Sequence, residues 1–226
     1  MKKNKIVSIK NPDKINNETY TRGRDHLDFP KPFIMVMNGR PNCGKTNTLM
    51  NLIVKWQTGK NPFEEIHVIH GSDFSEEYDI LDATSIRPDI PSYKEFENVD
   101  VHKLLIIDDY DFTKLSSDTQ KIISELCRFG SSHHCISLVF ISQAFFRLPK
   151  IVRDMANVFV IFRPLDLDEL NTLGRRVGLK KNMLKTIFNE YLPHWRDSLL
   201  INLIPSNPYS VYWKNLYEPL DLSITV

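Results

Sequence analysis

The stretch that decides the fold runs from Lys31 to Val54 and reads KPFIMVMNGRPNCGKTNTLMNLIV. Its first part, Phe33–Met37, is an apolar run typical of a buried β-strand, and its last part, Thr46–Val54, carries apolar side chains at helical spacing. Between the two, residues 39–46 read GRPNCGKT and fit the pattern G-x-x-x-x-G-K-[ST]. A strand before and a helix after are the context that this pattern requires. The stretch therefore predicts a phosphate-binding loop.

A loop of this kind holds an anion at the start of a helix, because main-chain N–H groups there lack helical partners and the helix dipole favours negative charge. Lys45 is expected to reach the β- and γ-phosphate oxygens, and the Thr46 hydroxyl to complete the coordination of Mg²⁺. An ordinary strand, turn and helix without a ligand is disfavoured, because pattern and context agree. The expected nucleotide-contacting segment comprises Gly39, Arg40, Pro41, Asn42, Cys43, Gly44, Lys45, Thr46 and Asn47.

The composition favours one globular domain with a substantial core. The chain has 226 residues, of which 42% are hydrophobic, and this length suits a single large domain or a domain with appendages. Lysine and arginine number 29 against 28 aspartate and glutamate, which leaves a formal net charge of +1. With so small a charge, no bulk field attracts the protein to nucleic acid or to a membrane. Any site for a polyanion must therefore be local.

The cysteines and the apolar segments favour a cytoplasmic protein. The three cysteines have no paired spacing, which favours a reduced intracellular setting over a disulfide framework. No window approaches the roughly 18 uninterrupted apolar residues of a membrane-spanning helix. The N-terminal stretch also lacks the apolar centre of a secretion signal.

Turn signals divide the chain into an arm and one domain. Residues 1–30 are polar and end close to two prolines, which predicts an N-terminal arm before a domain of residues 31–226. Within the domain, short apolar runs separated by helical or loop segments predict an α/β fold with a largely parallel central sheet flanked by helices. The five runs are Phe33–Met37, Ile66–Ile69, Leu104–Ile107, Ile136–Ile141 and Val158–Phe162.

The remaining segments are predicted as surface, an edge hairpin and helices. A polar, proline-containing stretch follows the second apolar run and is predicted to lie at the surface. The tail has strand-like runs at Ser198–Ile204 and Tyr209–Trp213, which predict a hairpin at an edge of the same sheet. Asp166 or Asp168 is the expected cap of one helix. The predicted helices are Ser117–Phe129, Leu165–Leu173 and Asn182–Tyr191.

Two carboxylates close the stretch KLLIIDD, which runs from Lys103 to Asp109. This pattern is typical of a strand that is buried on both faces and whose carboxyl end opens on a site. A phosphate loop needs a carboxylate for Mg²⁺ and a base for the attacking water. Because the chain turns at the strand end, we expect Asp108 to face the metal and Asp109 to face the γ-phosphate. The alternative is a strand end that is merely polar.

Gln143 follows the next apolar run. We expect its strand to lie beside the Asp108 strand, where a side-chain amide can sense the γ-phosphate or orient the attacking water. A glutamine at a strand end is by itself usually a solvated turn residue. The functional interpretation of Gln143 therefore depends on the two earlier motifs.

The combination of GRPNCGKT, LLIIDD and HHCISLVFISQAFFRLPKIVRDMANVFVIF resembles the genome-packaging ATPases of large DNA viruses, virophages and polinton-like elements, within the FtsK–HerA superfamily. The resemblance covers roughly residues 31–215, and residues 136–162 are its most specific part. It implies a P-loop NTPase fold, RecA-like and of the FtsK–HerA type. By this resemblance residues 39–46 are Walker A, Asp108 and Asp109 are Walker B with the catalytic acid, and Gln143 is the sensor.

The resemblance also implies an activity. The chain would be an ATP-hydrolysing motor subunit, with ATP and Mg²⁺ as cofactors, that translocates double-stranded DNA into a viral capsid. Its partners would be DNA, the capsid or portal vertex and further copies in a homo-oligomeric ring, without a membrane. Its location would be the host cytoplasm, a viral factory or the virion. Lys45, Asp109 and Gln143 would be catalytic, and Thr46 and Asp108 would hold the metal.

Two departures from the family pattern leave an alternative open. Many members carry glutamate where this chain has Asp109, which is one methylene shorter, and members often have arginine where this chain has Ser132. Both differences favour an ATP-dependent switch or assembly scaffold with little turnover. An arginine that acts in trans must come from elsewhere, and for each candidate a surface or structural role is the alternative. The candidates are Arg128, Arg147 and Arg153.

Two further clusters are ambiguous. Residues 133–135 read His-His-Cys, but consecutive residues cannot easily converge on one tetrahedral ion, so a structural role is predicted. A basic cluster in the carboxyl half fits a solvated face, with a DNA-facing loop as the functional alternative. Its members are Arg175, Arg176, Lys180 and Lys181.

Overall fold

The computed structural model describes residue 27 and residues 29–59, 62–71, 78, 81–96, 98–163, 166–206 and 211–222. Within these residues a nine-stranded sheet forms the centre of the molecule. The strands are β1 (Ile34–Asn38), β2 (Glu65–His70), β3 (Ser85–Arg87), β4 (Lys103–Asp108), β5 (Ile136–Ser142), β6 (Val158–Phe162), β7 (Ser198–Asn202), β8 (Tyr212–Lys214) and β9 (Glu218–Pro219).

The sheet is parallel over six strands and antiparallel over the last three. The strand order is β3-β2-β4-β5-β1-β6-β7-β8-β9, and the pairs from β3 to β6 are parallel. The strands β1, β4, β5 and β6 are buried along their whole length, which is typical of parallel strands covered on both faces. The carboxyl ends of β1, β4 and β5 therefore meet at one edge of the sheet.

Helices cover both faces of the sheet. The helix at Ser117–Glu125 continues through a π-helical turn at Leu126–Gly130 and a last helical turn at Ser131–His133. Among the described helices, none is long and apolar enough to cross a membrane. The helices are α1 (Lys45–Gln57), α2 (Ser117–Glu125), α3 (Lys150–Met155), α4 (Leu167–Arg176) and α5 (Met183–Glu190), with 3-10 turns at Tyr93–Glu95 and Phe145–Arg147.

Alternate side chains of the sheet supply two separate cores. Met35 and Met37 of β1 belong to the cluster beneath α1, whereas Ile34 and Val36 belong to the cluster beneath α2 to α5. This division follows because successive residues of a strand point to opposite faces. The α1 core is anchored by Trp56, which is only 2% exposed. Truncating such a tryptophan to alanine costs about 3–5 kcal/mol of stability.

The predicted elements are largely confirmed. All five apolar runs form strands of one largely parallel sheet. In the tail, β7 and β8 are antiparallel neighbours, as the predicted hairpin requires. The edge strand is β9 and not β8, and residues 207–210 of the predicted hairpin lie outside the described part of the chain. Asp166 caps α4, because its carboxylate accepts the Asp168 N–H at 2.8 Å.

Two segments differ from the prediction. The polar stretch after β2 contains β3, which pairs in parallel with β2. This strand has three residues, of which only Ile86 is apolar, so it has no readable alternation. The helix expected at Ser117–Phe129 is α-helical only to Glu125, and the chain then widens into the π-helical turn.

The residues just before β1 contribute to the core. Leu27 and Phe29 are fully buried in the cluster beneath α1, and the rings of Phe29 and Trp56 are 6.3 Å apart. Residues 1–26 lie outside the described part of the chain. The division into an arm of residues 1–30 and a domain of residues 31–226 stays a prediction.

Candidate nucleotide-binding site

The loop between β1 and α1 is tightly wound. Asn42 has φ 62° and Gly44 has φ 106°, so both lie in the left-handed region that asparagine and glycine adopt most readily. A Cβ atom at Gly39 would lie 2.7 Å from both Cys43 Sγ and Phe162 Cβ, so a larger residue does not fit there. Gly39 also donates its N–H to the Ser142 carbonyl at 3.1 Å. This bond joins the start of the loop to the end of β5.

The N-terminus of α1 is suited to an anion. Its N-cap residue is Gly44, which has no side chain to cap the helix, and the first turn contains no acidic residue. The first regular bond of this turn is made by the Thr48 N–H, which donates to the Gly44 carbonyl at 2.9 Å. The positive end of the helix dipole and the preceding N–H groups therefore face the loop.

The ammonium of Lys45 lies against the loop. Its Nζ donates to the carbonyl oxygens of Gly39 at 2.8 Å and Arg40 at 2.7 Å. A phosphate oxygen is a stronger partner for an ammonium than a neutral carbonyl, because charge assists the hydrogen bond. A phosphate oxygen in the loop would therefore compete with these two carbonyls for the Lys45 ammonium.

Asp108 and Asp109 diverge at the end of β4. Asp108 is 8% exposed, whereas Asp109 is exposed and has φ 50°. The Asp109 N–H donates to Asp108 Oδ1 at 2.9 Å, and the Tyr78 hydroxyl donates to Asp108 Oδ2 at 2.6 Å. A Cβ atom at Gly71 would come within 2.4 Å of the Asp109 carbonyl oxygen. The turn that separates the two carboxylates is therefore packed closely against the end of β2.

Gln143 directly follows β5, and this strand has the neighbour that the sequence predicts. Its strand β5 is directly between β1 and β4, so the prediction that this strand neighbours the Asp108 strand is confirmed. Gln143 is exposed. The turn after it is held by Ser142, whose hydroxyl donates to the Ala144 carbonyl at 2.8 Å.

These elements enclose one cavity of about 610 Å³. Five residues singled out for binding or catalysis line it together. They are Lys45, Thr46, Asp108, Asp109 and Gln143. Of the other expected loop residues, Pro41 and Asn42 line the cavity as well.

The rest of the expected loop segment has other surroundings. Cys43 is buried against Gly39, and burial raises the pKa of its thiol. Arg40 and Asn47 are exposed, and the Asn47 carbonyl accepts the Asn51 side-chain amide at 2.8 Å. Cys43 therefore acts in the packing of the loop.

Several cavity residues were not predicted as binding residues. His70 and the segment Tyr110–Lys114 line the same cavity. His70 ends β2, and the segment comes shortly after the end of β4. A position at the carboxyl end of a strand is the signal that could have identified these residues. Asp111 accepts bonds from the Thr113 hydroxyl at 2.5 Å and the Thr113 N–H at 3.1 Å. These bonds lower the pKa of the Asp111 carboxyl, so Asp111 is a weaker base than an ordinary aspartate.

The donors in the cavity fit magnesium with a nucleotide. Thr46 offers a hydroxyl and Asp108 a carboxylate, both oxygen ligands. Among the described residues, no cluster of three or more His, Cys, Asp or Glu side chains is arranged to hold a metal by itself. Mg²⁺ in nucleotide sites is held by one or two protein oxygens together with phosphates and waters. This donor set matches that arrangement.

A buried carboxylate connects the site to α4. Glu169 is 8% exposed, and its Oε1 accepts hydrogen bonds from Asn38 Nδ2 and from the Phe145 N–H. Asn38 is the last residue of β1 before the loop, and Phe145 follows Gln143 by two residues. One carboxylate therefore joins the end of β1 to the turn after β5.

The three candidate arginines lie in different places. Arg147 lines the cavity of its own chain. Arg153 is half-buried, donates to the Leu148 carbonyl at 3.1 Å and lies over the Phe145 ring, so its role is structural. Arg128 is exposed on the π-helical turn before β5 begins, at the opposite end of the sheet from the cavity.

The basic cluster predicted in the carboxyl half is divided. The Arg176 guanidinium donates to the carbonyls of Arg153 at 2.7 Å and Ala156 at 3.3 Å, and also to the Asp154 carbonyl. It therefore caps the carboxyl end of α3. Arg175, Lys180 and Lys181 are exposed and remain available to a partner.

Residues 133–135 have structural surroundings. The ring of His134 packs 4.9 Å from that of Tyr93, and its Nδ1 lies 3.3 Å from the Phe96 carbonyl oxygen. The ring of His133 stacks on Phe129. These contacts favour the structural role that the sequence predicts.

Comparisons with known proteins give similarity at the level of structure. No family model and no curated protein matches the sequence. The chain is similar to the genome-packaging NTPase B204 of Sulfolobus turreted icosahedral virus 2 in complex with sulfate, with a TM-score of 0.58 and 17% identity over 84% of this chain and 98% of that chain. Structures of B204 with ATPγS or AMPPCP are also similar.

Two further solved structures are similar as well. EssC (ATPases 2 and 3) of Geobacillus thermodenitrificans has a TM-score of 0.55 and 12% identity, over 84% of this chain and 40% of that chain. The pCW3 conjugation coupling protein TcpA with ATPγS has a TM-score of 0.51 and 13% identity, over 85% of this chain and 62% of that chain. The predicted fold class, an α/β fold with a largely parallel central sheet flanked by helices, is therefore confirmed, and these solved structures share it.

Proposed function

We propose that this chain is an ATP-hydrolysing motor subunit that forms a homo-oligomeric ring around double-stranded DNA and drives the DNA into a viral capsid. The observation that carries the proposal is that one cavity is lined by Lys45, Thr46, Asp108, Asp109 and Gln143 together. These are the groups that phosphoryl transfer to water requires: a phosphate cradle, a metal ligand, a base and a sensor.

The loop binds the phosphates. The N–H groups at the start of α1 face the β-phosphate, and Lys45 leaves the carbonyls of Gly39 and Arg40 to neutralise the β- and γ-oxygens. Thr46 and Asp108 would hold Mg²⁺, which would supply charge neutralisation to the phosphates when bound with the nucleotide. The cavity volume of about 610 Å³ is within the usual range for small-molecule sites, about 300–1,000 Å³.

Asp109 acts on the attacking water. Its side chain is exposed at the cavity while its neighbour Asp108 is buried, so the two carboxylates have different tasks. A carboxylate there orients the water and accepts its proton. Gln143 orients the same water from the neighbouring strand. Asp111 is the weaker candidate for the base, because its pKa is lowered by the bonds from Thr113.

Arg147 belongs to the same site. It lines the cavity from the turn after Gln143, so its charge stabilises the transferring phosphoryl group in cis. Arg128 lies at the opposite end of the sheet and cannot serve its own cavity. In a ring it is the candidate for the arginine that acts in trans.

The packaging part of the proposal is supported by likeness and by surface charge. B204 is described as a genome-packaging NTPase and as a DNA-packaging ATPase, and the motifs of the sequence resemble the same group. Arg175, Lys180 and Lys181 form an exposed basic patch near the α4–α5 connection. A ring presents several copies of this patch to one duplex, which multiplies the phosphate contacts. The capsid or portal vertex is the proposed partner, and the host cytoplasm, viral factory or virion the proposed location.

The experiment that tests the proposal is ATP turnover with and without double-stranded DNA, combined with light-scattering mass in a non-hydrolysable ATP analogue. We expect turnover that DNA stimulates and a mass that rises to a closed oligomer when the analogue binds. Asp109→Asn is the matched control, since it keeps the size of the side chain and removes the base. If DNA does not change the rate of ATP turnover and the chain stays monomeric, the proposed motor function is contradicted.

An ATP-dependent assembly scaffold is the second candidate. The shorter carboxylate of Asp109 favours it, because the base is set back from the water by one methylene compared with glutamate. For a scaffold, we expect ATP and the non-hydrolysable analogue to produce the same oligomer. The rate of ATP turnover is then expected to stay very low even with DNA. Asp109→Glu distinguishes the two, since a motor limited by this distance gains turnover.

A further inference from the structure

We propose that Tyr78 is a positioning residue that fixes the carboxylate of Asp108 for the magnesium–nucleotide complex. The inference rests on the proposed nucleotide site and adds a residue that the phosphate-loop motifs do not include. Tyr78 lies outside every motif of the sequence, eight positions after the end of β2. Its hydroxyl nevertheless donates to Asp108 Oδ2 at 2.6 Å.

The geometry leaves the Asp108 carboxylate one orientation. Tyr78 holds Oδ2, and the Asp109 N–H holds Oδ1 at 2.9 Å. Each oxygen of an ionised carboxylate has two lone-pair directions, so each keeps one for another partner. Because Asp108 lines the cavity, the remaining directions are available to a metal or to a water bound to it. Partners of this kind orient a ligand and tune its affinity for the metal.

The position of the Tyr78 ring is fixed by packing. Tyr78 is 1% exposed and belongs to the core cluster beneath α1. Its ring lies 5.9 Å from that of His70, and His70 is the register partner of Asp108 in the neighbouring strand. The ring thus rests on the same two strands whose ends form the site. A hydroxyl held this rigidly orients its acceptor at low cost in side-chain entropy.

Two other roles are possible for the same contact, and they predict different results. If the hydroxyl competes with the metal for Oδ2, removing it must lower the Mg²⁺ concentration needed for tight nucleotide binding. If it only stabilises the fold, its removal must change the melting temperature and leave the Mg²⁺ requirement unchanged. If it positions Asp108, its removal must raise the Mg²⁺ requirement.

The test uses Tyr78→Phe, which keeps the buried ring and removes the hydroxyl. Tyr93→Phe is the matched control, because Tyr93 lies in the 3-10 turn at Tyr93–Glu95 and does not line the cavity. The affinity for a fluorescent, non-hydrolysable ATP analogue is measured at low temperature, first in excess EDTA and then along a Mg²⁺ titration. For Tyr78→Phe we expect an EDTA affinity within about twofold of wild type and a half-saturating Mg²⁺ concentration raised about tenfold. Tyr93→Phe should match wild type in both measurements.

Asp108→Asn and the double variant Asp108→Asn/Tyr78→Phe complete the cycle. If Tyr78 acts through Asp108, the tyrosine substitution adds nothing to the Mg²⁺ requirement of Asp108→Asn. An unchanged or lowered Mg²⁺ requirement in Tyr78→Phe, with Asp108→Asn still impaired, overturns this inference and leaves the proposed function intact. A wild-type chain that binds no analogue, or binds it without regard to Mg²⁺, overturns both. Melting temperatures without ligand verify that each variant is folded.

Discussion

The side-chain amide of Asn38 donates a hydrogen bond to the buried carboxylate of Glu169, with Nδ2 and Oε1 3.4 Å apart. The two residues are 131 positions apart in the chain. Asn38 ends the strand that enters the phosphate-binding loop, and Glu169 is on α4, whose carboxyl end carries Arg175. The same Oε1 accepts the Phe145 N–H. The residue that precedes the loop therefore has a direct polar connection to α4, the helix that carries Arg175 of the exposed basic patch.

Replacing Glu169 by alanine should destabilise the protein. The buried Phe145 N–H and the Asn38 amide lose their acceptor, and an unsatisfied buried donor costs about 1–3 kcal/mol. The free energy of unfolding in urea measures the effect. Glu190→Ala, at an exposed position at the end of α5, is the control and should stay within about 0.5 kcal/mol of wild type. Equal stabilities for the two variants contradict a structural role for the Glu169 carboxylate.

Lys45→Ala and Asp109→Asn should fail in different ways. The first removes a cation from the phosphates, so most of the nucleotide affinity is lost. The second keeps the phosphate cradle, so binding is retained, while hydrolysis falls by about 10²–10⁴-fold because the base is gone. Analogue binding and single-turnover hydrolysis separate the two defects. If Asp109→Asn hydrolyses ATP at the wild-type rate, the assignment of Asp109 as the base is wrong. Asp111 is then the next candidate.

Mixing experiments should separate the arginine that acts in cis from the arginine that acts in trans. Chains carrying Lys45→Ala and chains carrying Arg128→Ala should recover hydrolysis when mixed, because one subunit supplies the loop and the other the arginine. Chains carrying Lys45→Ala and Arg147→Ala should not recover, because both changes damage the cavity of their own subunit. Turnover is compared before and after mixing. Recovery with Arg147→Ala, rather than with Arg128→Ala, reverses the two assignments.

DNA binding should depend on the exposed basic patch and not on Arg176. Binding is expected to be sequence-independent, to require the ATP analogue and to weaken steeply with salt, with a slope of about −0.9 per phosphate neutralised. Fluorescence anisotropy with duplex DNA at several salt concentrations measures the slope. Arg175→Ala combined with Lys181→Ala should flatten it and weaken binding.

Arg176→Ala is the informative comparison for this titration. Its guanidinium is occupied by the carbonyls at the end of α3, so the substitution should lower the free energy of unfolding by about 1–3 kcal/mol and leave the salt slope unchanged. A slope that responds to Arg176→Ala but not to the patch variant places the DNA contacts elsewhere. Lys150 and Arg147, after the sensor strand, are then the next residues to substitute.

The features that the sequence predicted are those with a local cause. The loop of residues 39–46 is identified by its own pattern. Strand β4 is identified by a continuous apolar run, and β5 by an apolar run that only Ser137 interrupts, which is typical of fully covered strands. Because parallel strands align their carboxyl ends, the sequence also predicts that Asp108 and Gln143 lie near the loop. Local signals also narrowed the helix cap to Asp166 or Asp168, and the structure shows that Asp166 is the cap.

The features that the sequence did not predict depend on distant partners. Strand β3 has one apolar residue in three and forms because β2 offers an open edge. In the sequence, nothing distinguishes Arg176 from Arg175. In the structure, the Arg176 guanidinium donates hydrogen bonds to carbonyls at the carboxyl end of α3, about twenty residues earlier in the chain. Tyr78 reaches Asp108 from a segment without any pattern. Such contacts are properties of the packed chain and not of a window of residues.

The hydrogen bond from the Gly39 N–H to the Ser142 carbonyl extends the ladder between β1 and β5 by one step, into the loop itself. The loop of residues 39–46 and strand β5 therefore form one connected side of the cavity. The hydrogen bond between Gly39 and Ser142 must break before the loop and the strand can separate. The opposite side of the cavity is different, because Asp111, Thr113 and Lys114 are exposed and are joined mainly to one another. We therefore expect this turn, residues 110–114, to change conformation when a terminal phosphate is bound or lost.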